Sequence, residues 1–220
     1  MTASKGQRAR RSDAGIVRPT QRDVSVLRWL GEMYGAPLSV VGQLYGVGDR
    51  DTRRHAARLE QAGFASRQLA PAGVWLVPTR RGLRNAGLAY ESWDLIGWKA
   101  DHLAAVCRMR LLLEEQFPGA GWESERACRA RWHGTGARVR IPDGILGRPG
   151  RRIGIEVELH RKAAHRYDGI LADLDPELSE VWWFCRLSDL PWLRDTLAAV
   201  PRGIEQQVYP LSGDLRGVLG

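Results

Sequence analysis

The chain has 220 residues, of which 44% are hydrophobic and 26% charged, and it carries a formal net charge of +8 with a pI near 10.0. That mixture excludes a disordered chain and leaves room for one large or two modest cores, while the positive excess favours a polyanionic partner through attraction and counterion release. Only Lys5, Lys99 and Lys162 are lysines among the 33 basic side chains, an arginine bias expected of a GC-rich bacterial genome as much as of function. Cys107, Cys128 and Cys185 form no CxxC pair, so neither a zinc ribbon nor a disulfide framework is indicated and a reduced, cytoplasmic setting fits. No apolar run has the length of a signal or membrane segment, so a soluble protein with no membrane partner is expected.

Residues 1–18 set Lys5, Arg8, Arg10, Arg11 and Arg18 against Asp13 alone, with almost nothing apolar to bury. They read as a disordered basic arm, either lying along phosphates or simply solvated. From Thr20 onward, Val24, Leu27, Trp29, Leu30 and Met33 recur at helical intervals, predicting a first helix capped by Thr20. After Gly35-Ala36-Pro37, Ser39 is placed to cap a short helix through Val40, Val41, Leu44 and Tyr45, and Gly46-Val47-Gly48 turns the chain into a third helix over residues 49–62.

At about 100° per residue, Thr52, Ala56, Leu59 and Gly63 share one stripe of that third helix, and Arg50, Arg54, Arg58 and Gln61 the opposite one, with Arg53 flanking. The small stripe suits packing and the arginine stripe suits a DNA major groove, where a guanidinium meets guanine or phosphate. A solvated basic face is the plainer alternative. Residues 64–69 and 74–77 around Pro71-Ala72-Gly73 read as a hairpin bearing Arg67, and Thr79 caps the helix that follows. Residues 19–90 therefore resemble a winged helix-turn-helix domain, with Arg50, Arg53, Arg54, Arg58 and Arg67 as the expected contacts to duplex DNA.

Residues 91–100, with Trp93 and Trp98, read as a packed connector, and residues 101–220 as a second domain. The predicted elements there are a helix over 101–117, strands over 122–126, 137–146 and 153–160, a helix over 162–174, a strand over 180–186, a helix over 188–200 and an edge strand over 203–210. The fold class is thus α+β or α/β, with Trp182, Trp183 and Trp192 in the core or at an interface. In the third strand the period of two puts Ile155, Val157 and Leu159 on one face and Glu156, Glu158 and His160 on the other. Two carboxylates on one strand face repel unless a cation, a proton or an arginine lies between them.

Asp143 precedes that pair at a spacing that can gather acidic side chains around a metal ion, and Pro142-Asp143 with Glu156-x-Glu158 resembles the motif of the PD-(D/E)xK nuclease-like superfamily. That resemblance implies magnesium on Asp143 and Glu156, with Glu114, Glu115 or Glu125 as a third ligand, and makes Asp143, Glu156, Glu158 and Lys162 the candidate catalytic set. Against this stands an inert charge network in which Lys162 and Arg166, one helical turn apart, neutralise Glu156 and Glu158. Both readings stay open on the sequence. His160 and His165 have no partner at a ligand spacing and read as solvated or packed.

The order helix, three strands, helix, strand, together with Pro142-Asp143 and Glu156-x-Glu158, resembles the PD-(D/E)xK nuclease-like superfamily. That resemblance implies a divalent cation on Asp143 and Glu156, with a lysine two residues after the glutamate acting on water. Here Glu158 occupies the lysine position, and Lys162 stands in its place only by proximity. From Thr20 to Arg186 the chain further resembles the replication-relaxation family of actinobacterial plasmids, phages and integrative elements. The likeness is carried by the winged helix, Pro142-Asp143-Gly144 with Ile145-Leu146, the run Ile155–Lys162, and Arg166-Tyr167-Asp168-Gly169-Ile170-Leu171. The family implies a DNA-binding protein of a mobile element acting in replication and DNA relaxation, with a nuclease-like second domain that cuts or nicks DNA. The alternative is a non-catalytic transcriptional or copy-number regulator whose C-terminal domain makes a homodimer or binds a partner.

Overall fold

The computed structural model describes residues 18–71, 73–133, 139–200 and 203–211, so the predicted basic arm falls, apart from Arg18, outside the described residues. Helix α1 (Gln21–Glu32) opens on a reciprocal cap. Thr20 Oγ1 accepts the Asp23 N–H at 3.2 Å, and Asp23 Oδ2 accepts the Thr20 N–H at 2.7 Å. A two-residue strand β1 (Ala36–Pro37) leads directly into α2 (Leu38–Tyr45), whose N-cap is Pro37, so Ser39 lies inside the first turn and does not cap the helix. Gly46, at φ 56°, ends α2 in the left-handed conformation and turns the chain toward α3 (Asp49–Gln61).

The hairpin of β2 (Ala65–Ala70) and β3 (Gly73–Pro78) is joined by β1 on its free side, giving the antiparallel order β1-β3-β2. Helix α4 (Arg80–Asn85) is capped by Thr79 Oγ1, which accepts the Gly82 N–H at 3.2 Å.

Helix α5 (Gly97–Gln116) starts at Gly97 rather than Asp101 and takes in the end of the connector. Trp93 packs on Tyr34 with ring centroids 5.2 Å apart. Trp98 does not pack: it is 79% exposed, because the buried side of α5 begins at Ala100 and Trp98 points away from it.

There follow β4 (Gly121–Ser124), α6 (Glu125–Trp132), β5 (Gly144–Arg148), β6 (Arg151–Glu158), α7 (Ala164–Ala172), β7 (Glu180–Cys185), α8 (Leu190–Ala198) and β8 (Glu205–Pro210). The sheet order is β4-β5-β6-β7-β8; β4, β5 and β6 are antiparallel neighbours, and β7 and β8 run parallel to β6. Helix α6 is an addition to the expected order. Ser124 ends β4 and caps α6 by accepting the Ala127 N–H, so Glu125 and Arg126 are helical rather than extended. The strand expected over 137–146 shrinks to Gly144–Arg148, with Arg140 making only a single parallel bridge to Leu174; residues 137 and 138 lie outside the described residues. Pro142 has no N–H to give to a ladder, and the Asp143 side chain itself takes the Val157 N–H. The described residues form a mixed α+β chain with eight helices and two sheets.

Helix α5 covers one face of the five-stranded sheet, against Ile153, Ile155, Val157, Trp182 and Phe184. Helices α6, α7 and α8 cover the other, around Ile145, Val181, Trp183 and Cys185. The first of these cores does not stop at the connector: it continues through Val106, Cys107 and Met109 of α5 into Leu27, Leu30 and Met33 of α1 and on to α2 and α3.

Two arginines reinforce the junction. Arg110, 7% exposed, pairs with Glu32 at 2.8 Å and Glu114 at 2.7 Å and lies over Trp29 and Trp122. Arg126 donates to the Gly31 carbonyl at 2.9 Å and the Glu91 carbonyl at 2.5 Å and lies over the rings of Tyr34 and Tyr90. Among the described residues no helix is long and apolar enough to cross a membrane.

Candidate nucleic-acid interface and acidic site

Helix α3 buries Thr52, Ala56 and Leu59, as its stripe predicts, and exposes Arg50 and Arg54 on the opposite face with Arg53 on the flank. Arg54 is 75% exposed and its acidic neighbour is Asp51 at 3.2 Å, a surface pair of small energy. Arg58 belongs elsewhere. It lies at the edge of the stripe and turns inward to the buried Asp23, donating to Oδ1 at 2.5 Å, while the Tyr45 hydroxyl donates to the same oxygen at 2.8 Å. Burial alone would raise the Asp23 carboxyl, but Arg58, Thr20 and Tyr45 together outweigh it and hold the group well below the usual carboxylate range.

Arg67 is also engaged within the protein: its Nε and Nη2 fork onto Glu60 Oε2 of α3 at 2.7 and 2.5 Å, fastening the hairpin to the helix. Arg58 and Arg67 therefore hold α3 in place, and the free cationic face reduces to Arg50, Arg53 and Arg54. The hairpin tip is apolar, with Leu69 and Val74 paired across it and exposed at 84% and 39%.

In the second half, Ile155 and Val157 face α5 while Glu156 and Glu158 face the other layer, as the strand period predicts; Leu159 and His160 lie beyond the strand end. Asp143 immediately precedes β5, whose Gly144 pairs with Ile155, so the register brings Asp143 beside Glu156. Asp143 Oδ2 accepts the Val157 N–H at 2.8 Å, and Oδ1 lies 2.9 Å from His102 Nε2 on α5. Burial works against a charged His102, but Asp143 outweighs it and raises the imidazole pKa. The glycine after Asp143 is sterically required: a Cβ there would sit 2.1 Å from the ring of Trp122, which closes over the strand.

Glu156 is 4% exposed, and burial, followed by the charge of Asp143, raises its pKa to about 8 against the opposing pull of Arg140 and Lys162. Arg140 Nε stands 3.6 Å from Glu156 Oε1, too far for a hydrogen bond, and both atoms are buried without a hydrogen-bond partner among the described residues. Glu158, 7% exposed, takes the Lys162 ammonium and the Tyr167 hydroxyl, the latter at 3.3 Å. The neutralising partners are thus Lys162 for Glu158 and Arg140 for Glu156, whereas Arg166 stands exposed on α7.

None of the expected third acids joins the pair in a ligand set. Glu114 is taken by Arg110 and by the Trp29 indole, Glu125 pairs with Arg129, and Glu115 is exposed on α5. Among the described residues no group of three or more His, Cys, Asp or Glu side chains is placed to hold a metal ion. Two carboxylates nonetheless suit magnesium, which is commonly held by one or two and keeps several of its waters; Glu156 Oε1, ion-paired with Arg140 but accepting no hydrogen bond, is an oxygen with capacity left for such a bond.

Sequence reasoning missed His102 and Arg140, which reach the site from outside the acidic motifs. His102 has no local signal, since it is 41 residues from Asp143, whereas Arg140 stands just before Pro142-Asp143 and its pairing with Glu156 follows from the approach of that segment to β6.

No protein-family model matches the chain, and neither does any curated protein. Among solved structures, the crystal structure of protein VC1899 from Vibrio cholerae aligns over 92% of this chain with 12% identity and a TM-score of 0.34. The structure described as PigF with SAH aligns over 89% with 14% identity and a TM-score of 0.22. The chain spans 57% of the length of each, and neither score reaches that of a shared fold.

Proposed function

We propose that the protein binds duplex DNA through α3, as the reading helix of a winged helix-turn-helix built from α1, α2, α3 and the β2–β3 hairpin. The observation that carries this reading is the division of labour among the arginines of α3. Arg58 is paired with Asp23, while Arg50 and Arg54 stand exposed opposite the apolar stripe and Arg53 stands exposed on its flank. The order α5-β4-α6-β5-β6-α7-β7, which departs from the expected one by the inserted α6, and the position of Asp143 beside Glu156 support a PD-(D/E)xK-like second half. On this reading the protein is similar to the replication-relaxation proteins of mobile elements, a likeness supported by the combination of these two halves.

A gel-shift titration of the Arg50→Ala, Arg53→Ala, Arg54→Ala triple variant tests the DNA reading. These side chains are exposed, so melting should be unchanged. Affinity should fall by at least about tenfold, and the salt dependence should flatten by about 0.9 per lost phosphate contact. Equal affinity and equal salt slope in the two proteins would refute it.

A second reading is favoured by the Glu156 oxygen that accepts no hydrogen bond: Asp143 and Glu156 hold magnesium. Bound there, the ion would supply a polarised water and charge neutralisation at a phosphodiester. His102 orients the Asp143 carboxylate, and Glu158 with Tyr167 fixes the Lys162 ammonium beside the site. Magnesium should then raise the melting temperature of the wild type and not that of Glu156→Gln. The absence of a magnesium-dependent shift in the wild type would remove this reading and leave DNA binding untouched.

A further inference from the structure

The geometry points to a phosphate-binding cleft in the second half, formed by Arg129, Arg140, Lys162 and Arg166 and separate from the arginines of α3. The cleft has a volume of about 530 Å³ and is bounded by α6, the segment 139–141 and α7. Its walls are tied together: the Arg140 N–H donates to the Asp173 carbonyl at the end of α7 at 2.5 Å, and Arg140 bridges Leu174 in parallel. Arg166 and Gly169 of α7, with Lys162 just before the helix and Asp173 at its C-cap, line one wall.

Three of these cations are ion-paired within the protein, and each keeps part of its side chain at the surface. The side chains of Arg129, Arg140 and Lys162 are 59%, 37% and 29% exposed, whereas their partners Glu125, Glu156 and Glu158 are 25%, 5% and 8% exposed. Glu156 and Glu158 are buried, whereas the cations paired with them line the cleft. Arg166 adds a fourth cation, and Asp173 is the one acid on the wall among the described residues. Guanidinium groups arriving from α6, segment 139–141 and α7 can share the several acceptor oxygens of one tetrahedral anion, which a single carboxylate would not satisfy. The volume lies within the range of small-molecule sites and exceeds what a bare phosphate needs, so the ligand is a phosphate carried by a nucleotide or by a nucleic-acid strand.

This inference does not rest on DNA binding by α3, and its test separates the two. The full chain is titrated calorimetrically with adenosine 5′-monophosphate, with adenosine, and with a short single-stranded oligonucleotide lacking terminal phosphates. Variants are Arg166→Ala, Arg129→Ala and the α3 triple variant, each checked by melting temperature; Arg166 is exposed, so Arg166→Ala tests the cleft even if Arg129→Ala perturbs the fold.

Phosphate-dependent binding should weaken about tenfold or more in Arg166→Ala and be retained in the α3 variant. Binding of the monophosphate but not adenosine identifies a nucleotide source. Binding of the oligonucleotide alone, with the same dependence on Arg166, identifies a strand. No binding of either phosphate ligand, or binding that Arg166→Ala leaves intact in a folded protein, overturns the proposal, as does binding lost only in the α3 variant.

Discussion

Replacing Glu156 by glutamine should make the protein more stable above neutral pH, and the size of the gain follows from where the carboxyl sits. Its ordinary value is 4.5, and burial beside Asp143 raises it to about 8. Between those two pH values the native protein holds a proton that the unfolded chain has released. A group raised in this way contributes its full stability below 4.5 and loses it progressively as pH rises toward 8. At about 1.4 kcal/mol per pH unit, the wild type loses up to about 5 kcal/mol across the window through this group.

Glutamine imitates the protonated acid in shape and does not titrate, so Glu156→Gln should match the wild type within about 1 kcal/mol at pH 5 and exceed it by several kcal/mol at pH 8. His102 also has a raised value and costs stability as pH rises through it, but it is present in both proteins, so the difference between the two curves is the readout. Urea unfolding in chelator-containing buffers from pH 4.5 to 8.5 measures it. Parallel curves for the two proteins would show that the Asp143–Glu156 pair holds no proton and that its environment has been misread.

Two further substitutions test the framework. Arg58→Ala should cost about 3 kcal/mol at neutral pH by leaving the buried Asp23 without its counter-ion, read by urea unfolding. Because the Asp23 value is lowered in the native state, the stability it provides is lost as pH falls through the acid range, so the gap between wild type and variant should narrow there. At a temperature where both are folded, DNA affinity should be unchanged, whereas a loss matching that of the exposed arginines would return Arg58 to the DNA face. Gly144→Ala should cost about 1 to 3 kcal/mol by pushing a methyl group into the Trp122 ring, with a change in tryptophan emission; an unperturbed protein would mean that the indole does not cover the strand.

What could be read from the sequence was whatever a local period carries. The Thr20 and Thr79 caps, the Thr52-Ala56-Leu59 stripe, the alternation of β6 and the burial of Trp182 and Trp183 all follow from neighbours a few residues apart. The departures come from contacts that a local period does not carry and from one residue that serves two local roles. Arg58 looked free on a helical wheel because its partner Asp23 is 35 residues away, and Arg67 because the turn between α3 and β2 folds it onto Glu60. Ser39 failed as a cap because β1 pairs with β3 and fixes where α2 can begin. Helix α6 was read as the continuation of a strand because Ser124 serves equally as the last residue of one and the cap of the other. In the acidic site the carboxylates were legible, while His102 was not, since only the fold brings α5 there, and Arg140, although near Asp143 in sequence, meets Glu156 only through the sheet.

The arginine seams across the connector bear on what would happen if the backbone were cut there. A break between residues 86 and 96 would sever one covalent link, yet Arg110, Arg126 and the apolar contacts from α1 to α5 would still bind the pieces to each other. Expressed apart, each piece would carry an uncovered apolar surface and aggregate; expressed together, the two should reassemble into a nicked but complete molecule. The protein is thus a candidate for split-fragment complementation, with the scission point in the segment that looks most like a hinge.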